Sequence, residues 1–135
     1  MRPLRRIGII VGLAVLAVWL PVLGAGLWSL RSRGHLGTSD TLIVTGVYRY
    51  VRHPLYAGLS LTLAGFGLVL GRASLVLGGL GWLTVTQLWS IREERELARR
   101  FGAEYTTYRM FTPGVVPSVA RFVADLRPKL DGEPR

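Results

Sequence analysis

Residues 54–91 read PLYAGLSLTLAGFGLVLGRASLVLGGLGWLTVTQLWSI, and the only charged residue in them is Arg72. It divides the stretch into apolar arms at 54–71 and 73–91, 18 and 19 residues long. A helix crosses a bilayer with roughly 20 mainly apolar residues, within a range of about 17–25. Both arms reach that length, and Gly71-Arg72 leaves room for little more than a tight turn. The stretch predicts a membrane hairpin that leaves from and returns to one face. Small residues crowd it: Gly58, Ala64, Gly65, Gly67 and Gly71 in the first arm, Gly78, Gly79 and Gly81 in the second. In lipid such residues let helix backbones approach closely, and Gly67 with Gly71 forms a GxxxG pair. Pro54 suits a first helical turn, where its missing N–H leaves nothing unsatisfied. Trp89 falls where an interfacial aromatic belt is expected.

Polar clusters bracket the hairpin. Tyr48-Arg49-Tyr50-Val51-Arg52-His53 precedes it and Arg92-Glu93-Glu94-Arg95 follows. Because the hairpin returns to its starting face, the two clusters meet at one membrane surface. Upstream, residues 7–30 contain no Asp, Glu, Lys or Arg. They read as a first span, with Pro21 placed to kink it. A second reading is a signal peptide with Arg2, Arg5 and Arg6 as its basic region and Gly24-Ala25-Gly26 as a poor cleavage site. The apolar run continues to Leu30, which is long for a signal and right for a span. Residues 31–53 form a connecting segment. Gly34, Gly37 and Thr38-Ser39-Asp40-Thr41 mark a loop, and Leu42-Ile43-Val44-Thr45 a short extended or interfacial piece.

From Ile91 the chain turns polar but keeps helical spacing through Ala98, Phe101, Tyr105 and Tyr108. One amphipathic helix is expected there, lying on the membrane or capping the bundle, and ending at Pro113, Gly114 and Pro117. Residues 118–135 read as a tail, disordered from 125 onward. The fold class is therefore an all-α integral membrane protein. One domain spans 1–135, with three transmembrane helices (7–30, 54–71 and 73–91) and a C-terminal amphipathic helix within 92–117.

Composition agrees. The chain is 50% hydrophobic yet carries a net charge of +9, which requires apolar and basic residues to be segregated. The absence of cysteine excludes disulfides, thiolate metal sites and cysteine nucleophiles. Lys129 is the single lysine among 17 basic residues, a bias that fits a GC-rich bacterial genome. The basic excess does not indicate nucleic acid, because no recognition helix or aromatic-basic sheet pattern accompanies it. With three spans, residues 31–53 and the C-terminal region share one side and hold 13 basic residues, against four at the N-terminus and Arg72. The positive-inside rule then places both clusters in the cytoplasm. Arg2, Arg5 and Arg6 argue the opposite way.

The clusters have chemistry to offer. If Pro54 opens a helix, His53 is its N-cap, and the free N–H groups behind it favour an anion. Arg52 adds a guanidinium that can hold a carboxylate at two points. The alternative is that Arg52 and His53 snorkel to lipid headgroups. His53 could serve as a general base. As a metal ligand it lacks partners, since the other histidine, His35, lies in the loop, so no metal site is expected. Glu93-Glu94 is either a solvated face balancing Arg92 and Arg95, or places at least one carboxylate in the bundle mouth. There it would meet ribose hydroxyls, an ammonium group or a sulfonium. Adjacent helical residues diverge by about 100°, so the two carboxylates should not share one role. Gly65-Phe66-Gly67 serves either close helix packing or room for a planar ligand.

The run Gly46-Val47-Tyr48-Arg49-Tyr50-Val51-Arg52-His53-Pro54-Leu55-Tyr56-Ala57-Gly58 resembles the RHPxYxG signature of the isoprenylcysteine carboxyl methyltransferase and phospholipid methyltransferase superfamily. Glu93-Glu94-Arg95-Glu96-Leu97, followed by Phe101-Gly102-Ala103-Glu104-Tyr105-Thr106-Thr107-Tyr108, is similar to its EExxL…FGxxYxxY motif. Val116-Pro117 fits its proline-containing end, and Gly65-x-Gly67 is similar to the glycine pair of the phospholipid branch. The resemblance covers roughly residues 42–117.

The resemblance implies a membrane methyltransferase that uses S-adenosylmethionine and releases S-adenosylhomocysteine. Carried over position by position, it implies cofactor contacts at Tyr48, Arg52, His53, Pro54, Tyr56, Gly58, Gly65, Gly67, Glu93 and Glu94, with Arg52, His53 and Glu94 in catalytic roles. The cofactor would arrive from the cytosol, and a lipidic or small hydrophobic acceptor (a carboxylate, amine or thiol) from the bilayer of a bacterial inner membrane. One span precedes the signature where many members have two or more, so a homodimer or a small substrate becomes the expectation. A reductase of the related sterol-reductase scaffold, using NADPH, is the alternative enzyme. A membrane adaptor without catalysis is the alternative outside enzymes.

Overall fold

A computed structural model describes residues 2–33 and 42–130. The chain forms α1 (Arg2–Arg33), a 3-10 turn at Gly46–Arg49, α2 (Pro54–Leu70), α3 (Ala73–Phe101), α4 (Ala103–Phe111) and α5 (Val119–Leu130). No strand occurs among the described residues. The fold is all-α, as the sequence pattern demands. The loop expected around Gly34–Thr41 lies outside the described residues.

The helices pack as elements do in lipid, with small residues at many of the contacts and most large apolar ones outside. On α1 the buried stripe is Gly12, Leu16, Trp19, Gly26 and Ser29, spaced at three, four and seven. On α3 it is Gly79, Thr86, Ser90 and Leu97. Leu59, Leu63, Phe66 and Leu70 of α2 are exposed on the opposite stripe. Only 17% of the most apolar window of α1, and of α3, is buried inside the protein. A core helix of a water-soluble protein would bury most of its apolar residues; these two leave theirs for lipid.

Among the described residues two helices, α1 and α3, are long and apolar enough to cross a membrane, where the sequence reading counts three. The remaining arm, α2, is apolar but has 17 residues. At about 1.5 Å per residue it spans about 25 Å, short of the roughly 30 Å hydrocarbon core. The adjacent Arg72 is exposed, and its long side chain can make up the difference by reaching toward the headgroups.

α2 sits between α1 and α3, and its glycines set both approaches. A Cβ on Gly58 would stand 3.0 Å from the Leu23 backbone of α1, and one on Gly65 would stand 3.0 Å from Leu16. A Cβ on Gly67 would be 2.7 Å from the Val76 nitrogen of α3. From the other side, a Cβ on Gly79 would reach within 2.5 Å of the Ser60 carbonyl oxygen. The expected GxxxG pair divides its labour. Gly67 packs, whereas Gly71 has open space beside it and caps α2 in the left-handed region at φ 67°.

The C-terminal region departs further from expectation. The single amphipathic helix foreseen beyond Ile91 is two. α3 continues to Phe101, and Gly102 then breaks the chain at φ 53° and ψ −123°, which a side chain would oppose. The supposed tail from 118 is helical to Leu130. Ser118 begins it, with its Oγ accepting from the Arg121 N–H at 3.4 Å. Tertiary contacts hold it. Phe122 meets the Tyr50 ring edge-on at 5.7 Å, and Asp125 takes both Arg49 donors at 2.7 and 2.9 Å. A sequence scan for apolar periodicity misses a helix whose partners lie some 75 residues upstream.

Candidate functional site

The site is built where α2 begins and the apolar part of α3 ends. His53 is the N-cap residue of α2 and Pro54 its first helical residue. The C-terminal arm then clamps this corner through backbone. The N–H of Arg52 donates to the Pro113 carbonyl at 2.9 Å, and that of His53 to Gly114 at 3.0 Å. The N–H of Ser118 donates to Tyr50 at 2.9 Å. Tyr108 donates its hydroxyl to the Tyr48 carbonyl at 2.6 Å. Val51 and Tyr105 are fully buried in the middle. Leu42, Leu97 and Tyr105 form a small core beneath, with Ala98, Phe101 and Tyr108 against it.

The two polar clusters meet directly. Glu94 Oε1 accepts from Arg52 Nη1 at 2.6 Å and bonds His53 Nε2 at 2.9 Å. Arg109 Nε lies 3.5 Å from Glu94 Oε2. Arg52 Nη1 also reaches the Tyr105 hydroxyl at 3.4 Å. Glu94 lies three residues past Ile91, where the charge-free run of α3 ends. Burial acts to raise its pKa. The His53 hydrogen bond and the Arg52 charge outweigh burial and hold the carboxyl below its ordinary value. Glu94 is thus an ionised carboxylate already committed to partners of this chain.

Glu93 turns the other way. Its Oε2 accepts from the Tyr56 hydroxyl at 3.3 Å. The Tyr56 ring stacks on His53 with centroids 5.7 Å apart and planes 14° from parallel. Tyr48 is buried nearby; burial raises its pKa, and the Glu93 charge adds to the rise. The two neighbouring carboxylates therefore have different surroundings, as their divergence around the helix requires. One locks the arginine-histidine corner, and the other sits among tyrosines.

One atom of this corner is left wanting. Arg52 Nε is buried and has no hydrogen-bond partner among the described residues. A buried charged donor without an acceptor is costly, and native structures rarely keep one. An oxyanion at this corner would satisfy it.

The structure brings Tyr48, Arg52, His53, Tyr56, Glu93 and Glu94 together, with Pro54 buried beside them. It uses Gly58, Gly65 and Gly67 for the helix contacts described above, so α1 and α3 fill the room reserved for a planar ligand. Sequence reasoning left Tyr105, Tyr108 and Pro113-Gly114 out of the site. The i, i+3 spacing of the two tyrosines just after Gly102 was the available signal. The backbone clamp carried no signal at all.

The profile of the phospholipid methyltransferase family matches residues 7–104, from the first span through both clusters. This chain belongs to the phospholipid methyltransferase family. The family segment thus holds Arg52, His53, Glu93 and Glu94, while most of α4 and all of α5 lie beyond it. This family member is also similar to the protein-S-isoprenylcysteine O-methyltransferase of Schizosaccharomyces pombe, 32% identical over 93 residues. That match covers 67% of this chain and 37% of the relative, so the chain spans well under two thirds of the relative's length. No solved structure matches it.

An apolar groove of about 500 Å³ runs between α1 and α5, lined by Ala17, Pro21, Ala25, Val51 and Phe122. Ala25 lies near the level of the Pro54 corner, because Gly26 packs on Pro54 and Leu55. Ala17 is about 12 Å deeper along α1.

Proposed function

We propose that this protein transfers a methyl group from S-adenosylmethionine to a lipidic or small hydrophobic acceptor at the membrane surface. The observation that carries the proposal is the direct union of Arg52 and His53 with Glu94, at the mouth of a nearly charge-free hairpin, in a member of a methyltransferase family. The residues fit the donor's chemistry. Arg52 Nε is a buried, unmet donor suited to a carboxylate. Glu93, accepting from Tyr56 and close to Tyr48, suits an ammonium group or ribose hydroxyls. S-adenosylmethionine, when bound, supplies an electrophilic methyl on a cationic sulfonium.

The chain's own part is alignment and exclusion of water, since a displacement at a methyl group needs positioning above all. Glu94 holds Arg52 and His53 in place rather than serving as the face toward the donor. Glu93 is the carboxylate left for that face. With a neutral ring donating from Nε2 to Glu94, His53 carries its lone pair on Nδ1, the atom that would take a proton from an amine acceptor. A carboxylate or thiolate acceptor would need no such step. The groove between α1 and α5 suits the hydrocarbon part of the acceptor. The larger basic count on the side of both clusters supports a site facing the cytosol.

The test is calorimetric titration of S-adenosylhomocysteine into the full chain in lipid nanodiscs. Wild-type binding is expected, with a loss of at least about tenfold in Glu93→Gln from its charged contacts. Mass spectrometry of lipids after incubation with methyl-labelled donor reads the transfer itself. Absence of binding across several lipid compositions would overturn the reading.

A further inference from the structure

The last turns of α3 have two faces. At about 100° per residue, Glu93, Leu97, Glu94 and Ala98 occupy one arc, and Arg95, Arg99, Arg92, Glu96 and Arg100 the other. The structure agrees: Leu97 is buried, Glu93, Glu94 and Ala98 are partly covered, and the remaining five are exposed. Those five line an open groove of about 770 Å³. Glu96 offsets one of the charges of Arg92, Arg95 and Arg99, which leaves two in excess. Among the described residues no ion pair engages Arg92, Arg95 or Arg99. Arg100 lies over the Phe101 ring at 5.6 Å.

The position of this face is equally informative. Exposed Trp89 and Ile91 mark where α3 leaves the hydrocarbon. From Arg92 to Arg99 the helix rises about 10 Å, a little more than the roughly 5–8 Å of one headgroup layer, a difference that long arginine side chains can bridge. The guanidiniums therefore stand at the level of lipid phosphates, and arginine is suited to hold a phosphate through two parallel bonds.

We propose that the outer face of α3 formed by Arg92, Arg95 and Arg99 binds the phosphate of an anionic lipid headgroup. This site is separate from the one around Glu93 and Glu94, because it occupies the opposite side of the same helical turns. A lipid held there fixes the depth and rotation of α3, and with them the direction in which both carboxylates point.

Native mass spectrometry of the full chain released from micelles tests the proposal, with dioleoyl phosphatidylglycerol, dioleoyl phosphatidylcholine and inorganic phosphate as probes. The wild type is expected to retain phosphatidylglycerol about tenfold better than phosphatidylcholine. R92Q/R95Q/R99Q should lose that preference. R2Q/R5Q/R6Q, which removes the same charge at exposed positions of α1, should keep it within about twofold. Circular dichroism checks folding, and R95Q/R99Q serves, with a partial loss expected, if the triple variant misfolds. Equal retention of the two lipids, or equal loss in both triple variants, would overturn the proposal. Displacement of the lipid by millimolar inorganic phosphate would overturn the lipid assignment in favour of a soluble phosphate compound.

Discussion

Glu94 Oε1 accepts from Arg52 and His53 at once, so replacing Glu94 strands two donors in a largely buried corner. Glu94→Gln is expected to destabilise the protein by about 2–4 kcal/mol, because it removes the charge opposite a buried guanidinium. Equilibrium unfolding in mixed micelles measures this. The same residue predicts a pH dependence. Its folded pKa is depressed, so it contributes stability above its ordinary value of 4.5 that is lost as pH falls through the lower folded value. The wild-type melting temperature should therefore drop below pH 4.5, and the Glu94→Gln profile should be flatter over the same range. Adjacent carboxylates on a helix must diverge, so the sequence already implied separate roles for Glu93 and Glu94. Which one locks the corner depends on the rotation of α3, and sequence does not encode that locally.

Glycines set the element-scale packing, and at Gly67 and Gly79 the nearest neighbour is backbone. A Cβ on Gly79 would press on the Ser60 carbonyl and the Ala64 nitrogen, neither of which can swing aside. Gly79→Ala should cost about 1–3 kcal/mol by forcing α2 and α3 apart. Gly24 of α1 has nothing within 4 Å, so Gly24→Ala should be neutral or stabilise by up to about 1 kcal/mol through helix propensity. Steric trapping or denaturant titration of the two variants separates these outcomes. Gly102 is a different case, for its constraint is conformational. Gly102→Ala at φ 53° and ψ −123° should cost about 1–3 kcal/mol and loosen α4, readable as lost protection of the Thr106 amide, which donates to the Gly102 carbonyl at 3.2 Å, in hydrogen exchange. The sequence marked glycine-rich packing helices clearly. It could not say that Gly67 packs while Gly71 caps, because both look alike until the partner helix is placed.

At the scale of the whole molecule, a hairpin open to one face and clamped by a C-terminal arm implies a definite topology. The chain has no cysteine, so single cysteines can report it. Cysteine at Arg72 and cysteine at the exposed Ala124 should label from opposite sides of sealed vesicles, the second from the cytosolic side. Labelling of both from one side would refute the hairpin. Sequence alone determined the apolar helices, the turn at Gly71-Arg72 and the meeting of the two polar clusters. The reason is energetic: charged side chains and unpaired backbone are so costly in hydrocarbon that the spacing of charges dictates which segments are apolar helices. The tertiary structure decided that α3 is rotated so that Glu94, not Glu93, takes Arg52 and His53. It also decided that residues 113–118 clamp the corner from Tyr50 to His53 by backbone bonds, and that α5 is a helix closing one side of an apolar groove. These choices rest on small-residue packing and on single hydrogen bonds worth about 1 kcal/mol each, between segments far apart in the chain. Their energies exist only once the helices are side by side.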